Sequence, residues 1–217
     1  MPDFAAQRFN MVESQVRAND VTDDAVLAAL HEIPRERFVP NAKRALAYAD
    51  AVVEVSPGRF LLDPRSFAKL LQLAQVEPGD EILDVGCATG YSSAVLSRLG
   101  RSVTSLEQDA DLVRVASEAL PSVGASNATV VQGALADGFK AKAPYNVIFV
   151  NGSIEAEPKA LLAQLAEGGR LVAVLQTKQP GVATLFLKEN GHAGARPAFD
   201  ATVPALAGFR QPVGFVF

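Results

Sequence analysis

The 217-residue sequence holds one cysteine, no tryptophan, two methionines and two histidines. A lone Cys87 excludes an intrachain disulfide and any zinc site built from several thiolates, so no metal is expected. It also points to a reducing cytoplasm. Basic residues are not in excess: 20 Lys plus Arg stand against 24 Asp plus Glu, a formal net charge of −4. With no cationic surplus to neutralise a phosphate backbone, a dedicated nucleic-acid binder is disfavoured. No stretch approaches the ~20 uninterrupted apolar residues of a membrane helix, and Met1-Pro2-Asp3-Phe4 shows no basic region followed by an apolar run. The expectation is a cytoplasmic protein without a membrane partner. Low-complexity tracts, long charge blocks and fixed-period repeats are also missing.

What is present is apolar material, 49% of the chain, punctuated by 16 Gly and 13 Pro. That is enough for one domain with a sizeable core. We expect a helical extension over residues 1–78 and an alternating core over 79–217. In the extension, Val26, Leu27, Leu30 and Ile33 recur at helical spacing behind Thr22, a candidate cap. Asp63-Pro64 opens a second helix with cap and first-turn proline, and Phe67, Leu70, Leu71 and Ala74 form its apolar face. It should stop before Pro78-Gly79. Beyond Gly79, strands are predicted at Glu81–Val85, Ser102–Leu106, Ala128–Gln132, Asn146–Val150 and Arg170–Leu175. Helices are predicted between them at Tyr91–Leu99, closed by Gly100, at Asp111–Leu120 and at Pro158–Ala166. This alternation implies a parallel sheet covered on both faces. Ala183–Lys188 and Pro212–Phe217 read as an antiparallel pair at its edge. Ligands of such sheets bind at the carboxyl ends of the strands, where strand order switches.

The most informative segment is Glu81-Ile-Leu-Asp-Val-Gly-Cys-Ala-Thr-Gly90. A dinucleotide fingerprint needs glycine at positions 88 and 91, which are Ala88 and Tyr91, and this opposes a nicotinamide oxidoreductase. A Walker loop needs a lysine that Gly90-Tyr91-Ser92 lacks. Asp-x-Gly-x-x-x-Gly fits the glycine loop of S-adenosylmethionine-dependent methyltransferases. Asp84 can order the cofactor's ammonium, and Glu107, at the end of the next strand, offers a bidentate acceptor for its ribose diol. Cys87 reads as a small buried hydrophobe whose backbone lines the cofactor. The enzymatic reading requires both carboxylates on one side of the sheet and an open cleft between them.

The chain as a whole resembles the protein-L-isoaspartate O-methyltransferases, which repair isomerised aspartyl residues by methylating the aberrant carboxylate. The resemblance runs from about Phe9 to about Gly208. It is carried by Met11-Val-Glu-Ser-Gln15, Ile33-Pro-Arg-Glu-Arg-Phe-Val-Pro40, Ala47-Tyr-Ala-Asp50, the glycine loop with Tyr91, Ala143-Pro-Tyr-Asn146 and Gln164-Leu-Ala-Glu-Gly-Gly-Arg-Leu-Val172. It implies a Rossmann-like α/β methyltransferase fold: a mostly parallel seven-stranded sheet with an antiparallel C-terminal edge and an N-terminal helical extension. It implies S-adenosyl-L-methionine as cofactor, S-adenosyl-L-homocysteine as product and an isoaspartyl peptide or protein as substrate. The cofactor-binding candidates are Asp84, Gly86, Cys87, Ala88, Gly90, Glu107, Gln108, Gly133, Ala134 and Leu135.

Two departures stand out. The family's Gly-Gln-Thr-Ile-Ser stretch aligns with Gly58-Arg-Phe-Leu-Leu62, so its two hydroxyls become Phe60 and Leu62. The family's Gly-Asp-Gly after the third strand becomes Gly133-Ala134-Leu135, with Asp137 nearby. A carboxylate nucleophile is ionised at neutral pH and needs no general base, so the lack of a Ser-His-Asp or Cys-His set is uninformative. His31 and His192 are expected to be structural or solvent-facing. A donor for the substrate carboxylate does matter. Arg59, Asn151 and Ser153 are the candidates on the substrate side, Arg59 because a guanidinium grips a carboxylate in bidentate fashion. Two readings stay open: a repair methyltransferase, or a cofactor-binding relative that has lost isoaspartyl activity for another substrate or a sensor role.

Overall fold

The structure, a computed structural model, describes residues 3–177 and 179–209. The chain begins with α1 (Phe4–Met11), capped by Asp3, and α2 (Asp24–Glu32). The cap of α2 is Asp23 rather than Thr22: the Asp23 carboxylate accepts from the Ala25 and Val26 amides at 2.9 and 3.1 Å. An acceptor one residue nearer reaches the exposed first-turn N–H groups better. A hairpin follows, β1 (Val53–Ser56) and β2 (Arg59–Leu61), turned at Pro57-Gly58 with Gly58 at φ +69°. The extension is therefore not wholly helical. The Pro-Gly pair between two short β-prone runs was the available hairpin signal.

Next comes α3 (Pro64–Ala74), with Asp63 Oδ1 accepting from the Ser66 amide at 2.9 Å and Pro64 in the first turn. It ends at Gln75 in the left-handed region, ahead of Pro78. The core proceeds as β3 (Glu81–Val85), α4 (Tyr91–Leu99), β4 (Ser102–Glu107), α5 (Ala110–Ser122), β5 (Ala128–Gln132), β6 (Tyr145–Ile154), α6 (Lys159–Leu162), β7 (Leu165–Leu175), β8 (Gly181–Glu189) and β9 (His192–Ala201). Two expectations change here. The predicted helix over Pro158–Ala166 is a single turn, because β7 begins at Leu165 and leaves no room for more. The second edge strand is His192–Ala201, paired antiparallel with β8, so His192 opens a strand. Its long polar, small-residue stretch concealed it. The predicted strand Pro212–Phe217 lies outside the described residues.

The seven-stranded sheet has the order β5-β4-β3-β6-β7-β8-β9, parallel through β7 and antiparallel over the last two pairings. Strand order reverses between β3 and β6, so their carboxyl ends form the switch point. Alternation along the central strands feeds two apolar layers. Ile82, Val147, Phe149, Val172 and Val174 face the layer shared with α2, α3 and α4. Leu83, Val85, Ile148, Val150, Leu171 and Ala173 face the other, with α6. Burial on both faces explains why these strands read as continuous apolar runs.

Replacing Asp63 by Ala should lower stability by about 1 kcal/mol through loss of the α3 cap, whereas Asn should preserve it. Urea denaturation of the two variants checks this, and equal losses would mean that the carboxylate does more than cap.

Candidate functional site

The pairing of β3 with β4 sets the site's frame. Asp84 lies opposite Ser105, and Glu107 follows two residues later, so Asp84 and Glu107 share one face of the sheet. Both side chains are fully buried. Past β3 the chain turns sharply, with Gly86 at φ +77°, Ala88 at +50° and Gly90 at +97° as the residue before α4. Ala88 holds a left-handed conformation that glycine would adopt more easily. The amides of Gly86 and Cys87 both donate to the Leu106 carbonyl, tying the loop to β4.

Asp84 acts as a scaffold. Its carboxylate accepts from Ser92 and Ser93 hydroxyls at 2.7 and 2.5 Å and from the Asn151 amide. It thereby joins β3 to the start of α4 and to β6. Burial pushes its carboxyl up to about 6, the three donors pull it down, and the Glu107 charge adds to the rise. Asn151, a substrate-side candidate from the sequence, is thus committed to Asp84 and to the Val85 carbonyl. Ser153 is buried and also committed: its hydroxyl donates to Gln176 at 2.6 Å, and its backbone exchanges hydrogen bonds with Pro204 and Leu206. Burial, with the Asp84 and Glu107 charges, raises the Cys87 thiol well above its ordinary range, consistent with an inert side chain.

Glu107 is fully subscribed. Its Oε1 accepts from the Gln108 and Asp109 amides at 2.8 and 3.2 Å. Its Oε2 accepts from the Ala88 amide at 2.9 Å and from Arg59 Nη2 in a buried ion pair. Arg59 is only 6% exposed, and its Nε has no hydrogen-bond partner among the described residues. The arginine considered for a substrate carboxylate therefore grips one belonging to the protein. Gly133 lies alongside, its amide on the Glu107 carbonyl at 3.0 Å, whereas Leu135 is buried and Gln108, Ala134 and Asp137 are exposed.

The cleft between the carboxylates is not open. A Cβ placed on Gly86 would lie 2.8 Å from Leu206 Cδ1 and 3.3 Å from Arg59 Nη2. Behind this plug is a cavity of about 10 Å³ whose walls include Phe60, Leu62 and Asn151. In front of it lies a cleft of about 470 Å³ bordered by Arg59, Gln108, Ala205 and Gly208. The expected side of the sheet is correct; the open space is not there in this conformation. Leu206 and the Arg59–Glu107 pair were not anticipated from the sequence, and neither was the brace under the loop. In that brace Thr89 donates to the Phe38 carbonyl at 2.7 Å. Buried Arg35 donates to the Ala47 and Leu62 carbonyls at 2.7 Å and lies 4.7 Å from the Tyr91 ring centroid.

The model of the family described as protein-L-isoaspartate(D-aspartate) O-methyltransferase matches residues 6–200. The chain belongs to that family. A protein-L-isoaspartate O-methyltransferase from Koribacter versatilis is 38% identical over 169 residues, 78% of this chain and 76% of the relative. One from Methylorubrum extorquens is 36% identical over 186 residues, 86% of this chain and 80% of the relative. A solved protein-L-isoaspartate O-methyltransferase superposes with a TM-score of 0.80 at 25% identity, covering 93% of this chain and 66% of that one. A Plasmodium falciparum structure described as a protein-L-isoaspartate O-methyltransferase with S-adenosyl-L-homocysteine gives 0.79 at 20% identity, covering 95% and 99%, and shares the fold. In this family member, no helix among the described residues is long and apolar enough to cross a membrane.

Because the Asp84 carboxyl titrates near 6 in the fold and near ~3.9 unfolded, the folded state keeps a proton that the unfolded chain has released. Stability contributed by this proton is present below pH ~4 and is lost as pH rises toward 6, by roughly 3 kcal/mol. In Asp84→Asn that component should vanish. Denaturation of both proteins from pH 4 to 7 reads it as a wild-type-minus-variant difference, and a flat difference would contradict the assignment.

Proposed function

We propose that this chain is an S-adenosylmethionine-dependent carboxyl methyltransferase of the protein-repair type, acting on isoaspartyl residues in peptides or proteins. The observation that carries this reading is the placement of Asp84 and Glu107 on one face at the β3/β6 switch point, flanking the glycine turn. The donor chemistry fits the cofactor: an acid at the end of β4 for a diol, and a turn stripped of side chain at Gly86 for close approach. In this conformation Leu206 covers the turn and Arg59 holds Glu107, so entry of the cofactor requires both to move.

When bound, the cofactor supplies an electrophilic methyl on a sulfonium. The chain's own residues have the remaining tasks. Glu107 would hold the ribose hydroxyls. Asp84, locked by Ser92, Ser93 and Asn151, would keep the loop, α4 and β6 in fixed relation while adding negative potential for an ammonium group. Phe60 and Leu62 would exclude water from the reacting end, and Leu62 is itself held through its carbonyl by Arg35. The substrate carboxylate is already charged at neutral pH, so holding it near the methyl carries the rate enhancement and no proton need move. Gln108, Gly133 and Ala134 would meet the adenosine, without the acid that the family usually has at Ala134.

A second reading has its own support. The hydroxyl positions are Phe60 and Leu62, and neither can donate to a carboxylate; removal of one charge-assisted hydrogen bond costs about 1.5–3 kcal/mol. This favours a relative that binds the cofactor and serves a different substrate. Incubation with methyl-labelled S-adenosylmethionine and an isoaspartyl peptide separates the two. The repair reading predicts base-labile methyl ester above the peptide-free blank; its absence, with homocysteine-product binding intact, would leave the second reading. The double variant Phe60→Thr/Leu62→Ser should then gain ester formation by about tenfold or more, the equivalent of one restored donor.

A further inference from the structure

Glu107 has four hydrogen-bond donors, which is the capacity of a carboxylate. Three are backbone amides fixed by the turns around it. Only the Arg59 guanidinium is a side chain that can leave. A ribose diol therefore has no lone pair to use on Glu107 until Arg59 withdraws. Exchange of the guanidinium for one ribose hydroxyl would restore the donor count. Arg59 has somewhere to go, because it borders the outer cleft of about 470 Å³. Its attachment is incomplete, with one nitrogen on Glu107 and Nε unpartnered among the described residues.

The methionine end of the cleft is blocked by a second group. Leu206 covers Gly86, and its Cβ also lies 3.0 Å from where a Cβ on Gly152 would sit. Leu206 is carried by the segment after β9, which is stitched to β6 by two hydrogen bonds of 2.8 Å at Ser153. The two plugs thus come from distant parts of the sequence, one before β3 and one after β9, and converge on the same turn.

We propose that Arg59 is an internal competitor for the cofactor's ribose. It holds Glu107 in a closed cleft sealed by Leu206, and it sets the affinity of the protein for S-adenosylmethionine and its product. The inference rests on the cofactor reading above and deepens it by naming the residue that controls entry. Closure reduces apparent affinity by the fraction of molecules that are open. An ion pair this deeply buried makes that fraction small, since separating the partners strands a charge.

Titration calorimetry with S-adenosyl-L-homocysteine tests this on the full chain. Arg59→Gln should bind at least about tenfold tighter than wild type, Leu206→Ala should also bind more tightly, and the double variant should exceed either. Adding Glu107→Gln to Arg59→Gln should abolish the gain, which a general loosening of the fold would not explain. Should Arg59→Gln fail to fold by circular dichroism, Arg59→Lys keeps a cation beside Glu107 on a single, more readily hydrated nitrogen and should still bind more tightly than wild type. Equal affinities for wild type, the Arg59 variant and Leu206→Ala would overturn the proposal. A tight-binding Arg59 variant that esterifies no isoaspartyl peptide would uphold the competition and sink only the substrate reading. No binding by any of these proteins would remove both.

Discussion

The carboxylate of Glu107 is the point on which the site turns. It sits without solvent contact at the end of β4, where three amides and one guanidinium converge on two oxygens. A buried charge of this kind is tolerable only while its donors stay in place. The glycine turn is shaped around it through the Ala88 amide, the start of α5 through Gln108 and Asp109, and the β1–β2 hairpin through Arg59. The same group that the fold needs to satisfy is the one a ribose would need to engage. Under the proposed competition, stability of the closed form and affinity for the cofactor would be set against each other at a single side chain.

Asp84 resolves a comparable problem differently. Its donors come from α4 and β6, and none of them is a charged side chain. With no cation to balance burial, its affinity for a proton rises instead. The first acid thus stiffens the turn, whereas the second is balanced by a charged side chain. Beneath both, Phe38 and Phe67 pack on Tyr91 at centroid distances of 5.7 and 5.4 Å, and Arg35 caps that ring. The Pro-Arg-x-x-Phe-Val-Pro signature is in this sense a foundation for the glycine turn, and its appearance as core material conceals that connection.

Much of the frame was legible because it rests on local physics. The strands Glu81–Val85 and Ala128–Gln132, the Asp63-Pro64 opening of α3 and the closure of α4 at Gly100 each follow from a short run and its immediate punctuation. Errors arose where local signals were weak or duplicated. The cap of α2 is Asp23 and not its neighbour Thr22, a difference of one residue that only geometry decides. The strand His192–Ala201 carries few β-branched residues and takes its conformation from pairing with β8. At the site, the spacing of the glycine motif and the strand period sufficed to find Asp84 and Glu107. The pairing of Arg59 with Glu107 joins residues 48 positions apart, and Leu206 reaches Gly86 from beyond the last strand of the sheet. Neither leaves a trace in sequence spacing, because each depends on how separate elements dock.

The departures at Phe60 and Leu62 also take on a definite physical meaning. Together with Arg59 they belong to one short hairpin and its exit, so a single segment both closes the cleft and makes its inner wall apolar. A crystal structure of the protein grown with S-adenosyl-L-homocysteine tests this account most directly. In that crystal a ribose hydroxyl should lie within hydrogen-bond distance of the Glu107 carboxylate, with the Arg59 guanidinium withdrawn toward the outer cleft and Leu206 lifted from Gly86. A bound ligand with the Arg59–Glu107 pair still intact would contradict it.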